Sequence, residues 1–172
     1  MLDKFIPIKI IYFLDLIRFN KPIGFLLLMW PCWFGLAYSN KYYYDLIYLY
    51  FLFFVGSFLM RSVGCIINDI IDIKIDKQVK RTYNRPLASN KINILSAYIF
   101  VCVLLFLSFI ILIQFSILSI IIGLCSLPII VLYPLMKRIT YWPQLFLGLT
   151  FNWGIIMGWT SITGNISIEP IL

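Results

Sequence analysis

Long apolar runs alternate with short polar interruptions along the chain. Five runs, roughly 22–39, 46–67, 92–113, 115–134 and 143–163, approach the ~20 mostly apolar residues that a membrane-spanning helix needs. Each predicts such a helix. The interruptions are "NKYYYD" at 40–45, a polar stretch at 68–91, a short break at 114–116, "KRIT" at 137–140 and "GNISIEP" at 164–170. Upstream, "FIPIKIIYFLDLIRFN" at 5–20 predicts a shorter amphipathic helix, so that residues 1–21 form an interfacial segment before Pro22 turns the chain inward. The first long run begins only after Arg18 and Lys21, and no small-residue cleavage site follows it, which predicts an uncleaved first membrane helix. No repeat or low-complexity linker divides the chain, so residues 1–172 read as one all-α, polytopic transmembrane bundle.

Composition supports this reading. Of 172 residues, 62% are hydrophobic and 12% are charged, with a mean hydropathy of +0.97. Soluble domains carry about 45–50% apolar and about 25% charged residues. Histidine is absent, which excludes His-based triads, haem ligation by His and His zinc sites. Cys32, Cys65, Cys102 and Cys125 stand singly without a CxxC pair, so all four are expected as buried small hydrophobes.

The net charge of +7 would suggest nucleic acid in a soluble protein, but its distribution points to the bilayer and to no nucleic acid. Lys4, Lys9, Arg18 and Lys21 precede the first run. Lys74, Lys77, Lys80, Arg81, Arg85 and Lys91 lie between the second and third, and Lys137 and Arg138 between the fourth and fifth. The alternate loops carry only Lys41. This asymmetry places the N-terminus and the 68–91 loop in the cytoplasm.

That loop is where chemistry concentrates. "INDIIDIKIDKQVKRTYNRP" at 67–86 holds Asp69, Asp72 and Asp76, then Lys74, Lys77, Lys80, Arg81 and Arg85. Asn68, Asp72 and Asp76 follow at i, i+4 and i+8, which predicts an amide and two carboxylates on one helical face. Clustered oxygen ligands suit Mg²⁺, which shares itself with substrate phosphates. Arg81 and Arg85 can grip the remaining phosphate oxygens. The competing reading is a solvated loop laced with weak salt bridges. Arg61 lies inside the second run, seven residues before Asn68, and an intramembrane arginine points to a cavity or a partner. Tyr133 and Lys137 fall at i and i+4, and Arg18 stands near the mouth of the first helix. The plainer role of Lys137, Arg138 and Lys74 is topological, holding loops inside against anionic lipid.

"GCIINDIIDIKID" at 64–76, followed by "VKRTYNRPLAS" at 79–89, resembles the first aspartate-rich motif, NDxxDxxxD, of the intramembrane UbiA-type aromatic prenyltransferases. "RFNKPIGFLLLMWPCWFGL" at 18–36 and "YPLMKRITYWPQLFLGLTFNWG" at 133–154 are also similar to that family, most of all to its 4-hydroxybenzoate-prenylating branch. The resemblance covers nearly the whole chain. It implies Mg²⁺-dependent transfer of a polyprenyl group from polyprenyl diphosphate to 4-hydroxybenzoate in ubiquinone biosynthesis; the abundance of Ile, Lys, Asn, Tyr and Phe points to an AT-rich bacterial genome, so the membrane is expected to be a bacterial inner membrane. It implies metal binding by Asn68, Asp69, Asp72 and Asp76, with Asp69 supporting, and catalytic roles for Asp72, Asp76 and Lys137. It implies substrate binding by Arg18, Arg81, Arg85, Tyr133 and Lys137.

The family resembled has nine helices and a second acidic motif. This chain has seven acids, and outside the first motif they are scattered: Asp3, Asp15, Asp45 and Glu169. The chain is therefore expected to be the N-terminal part of such an enzyme, truncated or partnered by a missing C-terminal half. Ile73 also departs from the arginine that many members carry there. Other acceptors, such as a naphthoate, homogentisate or haem, remain open, as does a non-catalytic membrane fragment. A transporter would place its charges at the midplane, whereas these acids sit at a membrane edge. Single cysteines introduced at Gln78 and Tyr43 should label with impermeant reagent from opposite faces, Gln78 from the cytoplasm; labelling of both from one face would end the five-helix topology.

Overall fold

In the computed structural model, residues 7–39 and 46–167 are described. Among them are seven helices and no strand: α1 (Ile8–Leu16), α2 (Ile23–Tyr38), α3 (Leu46–Ile71), α4 (Ile73–Asp76), α5 (Ile94–Leu112), α6 (Ile117–Ile139) and α7 (Pro143–Thr163). Lys4, the interruption at 40–45 and Glu169 lie outside the described residues. A long helix covers each of the five apolar runs. Their ends follow local chemistry. Pro22 and Pro143, whose rings suit a first helical turn, stand at the starts of α2 and α7. Asn93 and Ser116 accept hydrogen bonds from Leu95 N–H and Ser119 N–H to cap α5 and α6. Gly164, at φ +67°, stops α7 in the left-handed conformation that glycine adopts without a Cβ penalty.

Five full spans were expected, and three meet that standard among the described residues: Leu46–Ile71, Ile94–Leu112 and Gln144–Thr163. One apolar helix is shorter. The 16 residues of α2 rise only about 24 Å, against a hydrocarbon core of about 30 Å. α6 runs for 23 residues, with Ile117–Ile130 the apolar stretch whose side chains are described. A short span is accommodated by local bilayer thinning and snorkelling flanks at modest cost.

The long helices neighbour one another in the order α5, α3, α2, α7, α6, and α6 returns to touch α3. Lipid tails are as apolar as leucine, so close packing and interhelical hydrogen bonds must hold this arrangement. α2 and α7 approach most closely. A methyl group on Gly158 would collide with the Cys32 carbonyl oxygen, and one on Gly35 with the Ile155 carbonyl oxygen. A Cβ at Gly154 would stand 2.7 Å from Cys32 Sγ. Gly154 and Gly158 form the small-xxx-small pattern that lets two helix backbones touch. α6 joins α7 through buried hydroxyls: Ser119 Oγ lies 2.9 Å from Thr160 Oγ1, and Ser116 Oγ donates to the Thr160 carbonyl at 3.1 Å. Trp153 Nε1 donates to the Ile122 carbonyl at 2.9 Å. Two cysteines depart from expectation. Cys32 and Cys65 are buried, but Cys102 and Cys125 are exposed on the outer faces of α5 and α6. An apolar helix in lipid need not bury a small soft side chain.

α1 is shorter than the 5–20 stretch that predicted it. Its buried Leu16 packs among Leu59, Val63 and Ile66 of α3. It closes in a Schellman motif: Phe19 N–H donates to the Leu14 carbonyl and Arg18 N–H to that of Asp15, both at 3.0 Å. The left-handed residue is Arg18, at φ +57°. A non-glycine residue there costs about 1–2 kcal/mol.

Because the α2–α7 contact leaves no room for a side chain, Gly158→Ala should destabilise the bundle by about 1–3 kcal/mol. Gly148, where an added methyl group would meet nothing within 4 Å, is the control. Thermal unfolding in detergent should show a lowered midpoint for Gly158→Ala and no lowering for Gly148→Ala; equal midpoints would refute the close packing.

Candidate functional site

The second and third long helices are joined by a compact polar cap. α3 carries Asn68 and Asp69 in its last turn and breaks at Asp72, whose backbone (φ −92°, ψ 4°) leaves helical geometry. One further turn, α4, ends with Asp76. The chain then winds back through a series of turns. Thr82, buried, donates its hydroxyl to the Asp76 carbonyl at 3.2 Å and ties the start of this return to the end of α4. Asn90, left-handed at φ +57°, accepts from Lys77 Nζ at 3.4 Å and closes it.

The expected grouping of Asn68, Asp72 and Asp76 does not form as one face. Asn68 Nδ2 donates to Asp72 Oδ2 at 3.3 Å, and both residues are half-buried. Asp76 instead joins Asp69. Arg85 Nη1 reaches Asp69 Oδ1 at 3.1 Å and Asp76 Oδ2 at 2.7 Å. Arg18 Nη2 reaches the same Asp69 Oδ1 at 2.9 Å. Helical arithmetic explains the regrouping. On an unbroken helix, positions seven apart drift only ~20° and positions eight apart about 80°, which favours Asp69 over Asn68 beside Asp76. The break at Asp72 and the reach of Arg85 complete the pairing. The i, i+8 expectation asked too much of the helix.

Four groups therefore form one ion network. Asp69 is 2% exposed and Asp76 5%. The two guanidinium groups retain partial access to solvent. Burial works against the charge of Arg18, but the Asp69 carboxylate more than offsets it, and Arg18 titrates above its ordinary value. Removing one partner from a buried pair costs up to ~3–5 kcal/mol, a ceiling here because water still reaches the arginines.

The other predicted residues are placed differently. Arg81 and Lys74 are exposed, and Arg81 makes no ion pair among the described residues. Tyr133, Lys137 and Arg138 fall on the backbone of α6, but their side chains lie outside what is described. Arg61 lies over Gly24 of α2, where an added Cβ would stand 2.5 Å from Nε. Glycine at 24 makes the space for the guanidinium. Sequence reasoning passed over three things: the bridging role of Asp69, the Thr82 cap and the Gly24–Arg61 contact. The spacing of seven between Asp69 and Asp76 was the available signal for the first.

Beneath the polar cap, between α2, α3, α5, α6 and α7, lies an apolar cavity of about 370 Å³ lined by Cys32, Phe53, Met60, Leu105, Trp153 and neighbours. Three hydroxyls in its wall bond to their own helices: Ser108 donates to Leu104, Ser126 to Gly123 and Thr150 to Phe146. The wall therefore offers little hydrogen bonding to an occupant. Its volume falls within the ~300–1,000 Å³ of small-molecule sites. Met60 stands nine residues before Asp69, about 14 Å along the helix. The site thus has a charged cap and an apolar interior at different depths of α3.

Proteins named "4-hydroxybenzoate polyprenyltransferase, mitochondrial" are 46% identical in Caenorhabditis elegans, over 90% of this chain and 44% of that protein. The Homo sapiens protein of that name is 46% identical over 89% of this chain and 42% of its own length. The one from Arabidopsis thaliana is 40% identical over 99% of this chain and 42% of that protein. The chain spans about two fifths of the length of these relatives. No solved structure matches it. The UbiA prenyltransferase family matches residues 28–172, and over that region, with the aspartate-rich turn at its membrane edge, this chain belongs to that family.

Proposed function

We propose that the chain forms the diphosphate-binding part of a 4-hydroxybenzoate polyprenyltransferase of ubiquinone biosynthesis. The observation that carries the reading is the 44–46% identity to proteins of that name over about 90% of the chain. The proposed substrates are polyprenyl diphosphate and 4-hydroxybenzoate. The proposed reaction breaks the allylic carbon–oxygen bond, and diphosphate leaves with the electron pair. The ring carbon ortho to the phenol then bonds to the allylic carbon, and the ring proton is released.

The residues suit that division of labour. The apolar cavity offers a prenyl chain burial from lipid and water, which protects a carbocation from quenching. Arg61, set in α3 with no ion pair among the described residues, offers a counter-charge to an acceptor carboxylate within the bundle. Exposed Arg81 is available to phosphate oxygens. Tyr133 and Lys137 keep their proposed substrate roles on the resemblance alone.

Mg²⁺ is the proposed cofactor. Among the described residues no three acidic, Cys or His groups converge as a metal cage. That is compatible with Mg²⁺, which is commonly held by one or two carboxylates together with waters and substrate phosphates. Asn68 and Asp72 supply such a pair of hard oxygen ligands, and Asp69 and Asp76 bond to arginine. Bound there with diphosphate, the ion would neutralise the charge of the leaving group.

The 172 residues contain no second acidic cluster. A C-terminal half bearing one, equivalent to the remainder of the relatives, is the proposed partner. The basic loops support an N-terminus on the cytoplasm-equivalent face of the membrane. The names of the relatives place those proteins in mitochondria.

The test is mass-spectrometric detection of prenylated 4-hydroxybenzoate. The purified chain alone should give none above background. Co-expression with the C-terminal portion of a relative should give product. In that pair, Asp72→Ala should lower the rate by about 10²–10³, the cost of losing one stabiliser of developing charge. Lys74→Ala, at an exposed side chain, should leave the rate unchanged. A normal rate with Asp72→Ala would remove the metal–diphosphate assignment, and robust product from the chain alone would remove the partner.

A further inference from the structure

Two arginines from opposite ends of the cap converge on one oxygen atom. Arg18 approaches Asp69 Oδ1 from the turn after α1, at 2.9 Å, and Arg85 from the returning loop, at 3.1 Å. Arg85 then uses the same nitrogen to reach Asp76. Asp69 is nearly inaccessible, while Asn68 and Asp72 near it in the chain are half-buried. Arg18 also occupies the left-handed position of a Schellman motif, where glycine would be free of strain. Backbone strain of that kind persists where the surrounding structure over-determines it, and here the surroundings are the ion pair with Asp69.

From this geometry we propose that Asp69 is a positioning residue, not a metal ligand. It fixes Arg18 and Arg85, and through them the N-terminal arm and the 77–91 return, around Asn68 and Asp72. The inference rests on the diphosphate reading for its purpose, and on the ion network for its existence. Two guanidinium groups already neutralise Asp69, and their charges would repel a divalent cation brought to the same carboxylate. Asp72 lies nearly one turn further along the chain and is more open to solvent than Asp69.

The chemistry of asparagine separates the two roles. Asp69→Asn keeps an Oδ1 acceptor for both arginines and removes the carboxylate charge that strengthens a divalent-cation ligand. Asp69→Ala loses both. The full chain, purified in detergent, is titrated with inorganic pyrophosphate across a Mg²⁺ series and, in parallel, digested with trypsin. Expected is a loss of Mg²⁺-dependent pyrophosphate affinity of about 10–100-fold in Asp69→Ala, the usual cost of removing an orienting partner behind a metal site. Asp69→Asn should restore affinity to wild-type or better with an unchanged Mg²⁺ midpoint. Trypsin should cut the Arg18–Phe19 bond faster in Asp69→Ala than in wild type, and not faster in Asp69→Asn. A Mg²⁺ midpoint raised equally in both variants, with unaltered proteolysis, would overturn the proposal by making Asp69 a ligand. Should wild-type chain bind no pyrophosphate with Mg²⁺, the diphosphate reading fails, and the proteolysis comparison alone decides whether Asp69 anchors the arm. Retained helicity by circular dichroism in the Asn variant keeps that comparison valid if the Ala variant does not fold.

Discussion

A carboxylate that sits at the edge of a bilayer and out of reach of water must be compensated. Asp69 is in that position, and the answer to it organises the cap. Arg18 comes from a segment that precedes the bundle, and Arg85 from a loop that follows α4. Asp76 is drawn in because it lies two helical turns along the same face and shares Arg85. The result is two positive and two negative groups in contact, closely matched in charge. Such a network contributes less to net stability than its charges suggest. What it contributes is placement: the first helix, the end of α3 and the return loop are held in one register.

The bundle below obeys a different constraint. In lipid, apolar side chains gain nothing by leaving one another for hydrocarbon, so association depends on how closely backbones can approach and on hydrogen bonds between helices. The glycines of α7 against Cys32 and Gly35 of α2 provide the first. The Ser116–Ser119–Thr160 cluster provides the second. With α2 and α7 drawn together, and α6 meeting α3 on the far side, the space enclosed by five helices remains as the cavity. Ser108, Ser126 and Thr150 bond to their own helices, which keeps the interior largely apolar where they line it. Charged cap and apolar interior are thus separate consequences of separate forces, and the proposed substrate, an anion with a hydrocarbon tail, combines both.

Much of this was legible in the residues alone. Hydropathy located the five long helices, because a run of about twenty apolar residues has few stable fates other than a helix in lipid. The residue types at 68–86 marked the polar cap, because acids and bases so concentrated in an apolar chain demand a purpose. The division of roles within the cap was less legible. A spacing of four suggested that Asn68, Asp72 and Asp76 belong together, while the break at Asp72 and the pull of Arg85 put Asp76 with Asp69. Arg18 lies 51 residues from Asp69, and no local pattern reports a pairing across that distance. Cys102 and Cys125 show the same limit: composition marks a side chain as apolar, but the facing of the helix decides whether protein or lipid surrounds it.

The sequence by itself determined the helical class, the membrane setting, the family and the position of the polar cap, because each of these follows from local pattern, composition or motif. Only the tertiary structure decided which carboxylate takes which arginine, where Arg61 finds room over Gly24, and that α2 and α7 meet backbone to backbone. Those outcomes depend on distances between segments remote in the chain. They are settled when helices pack, because only then does a buried charge meet the partner that permits it to be buried.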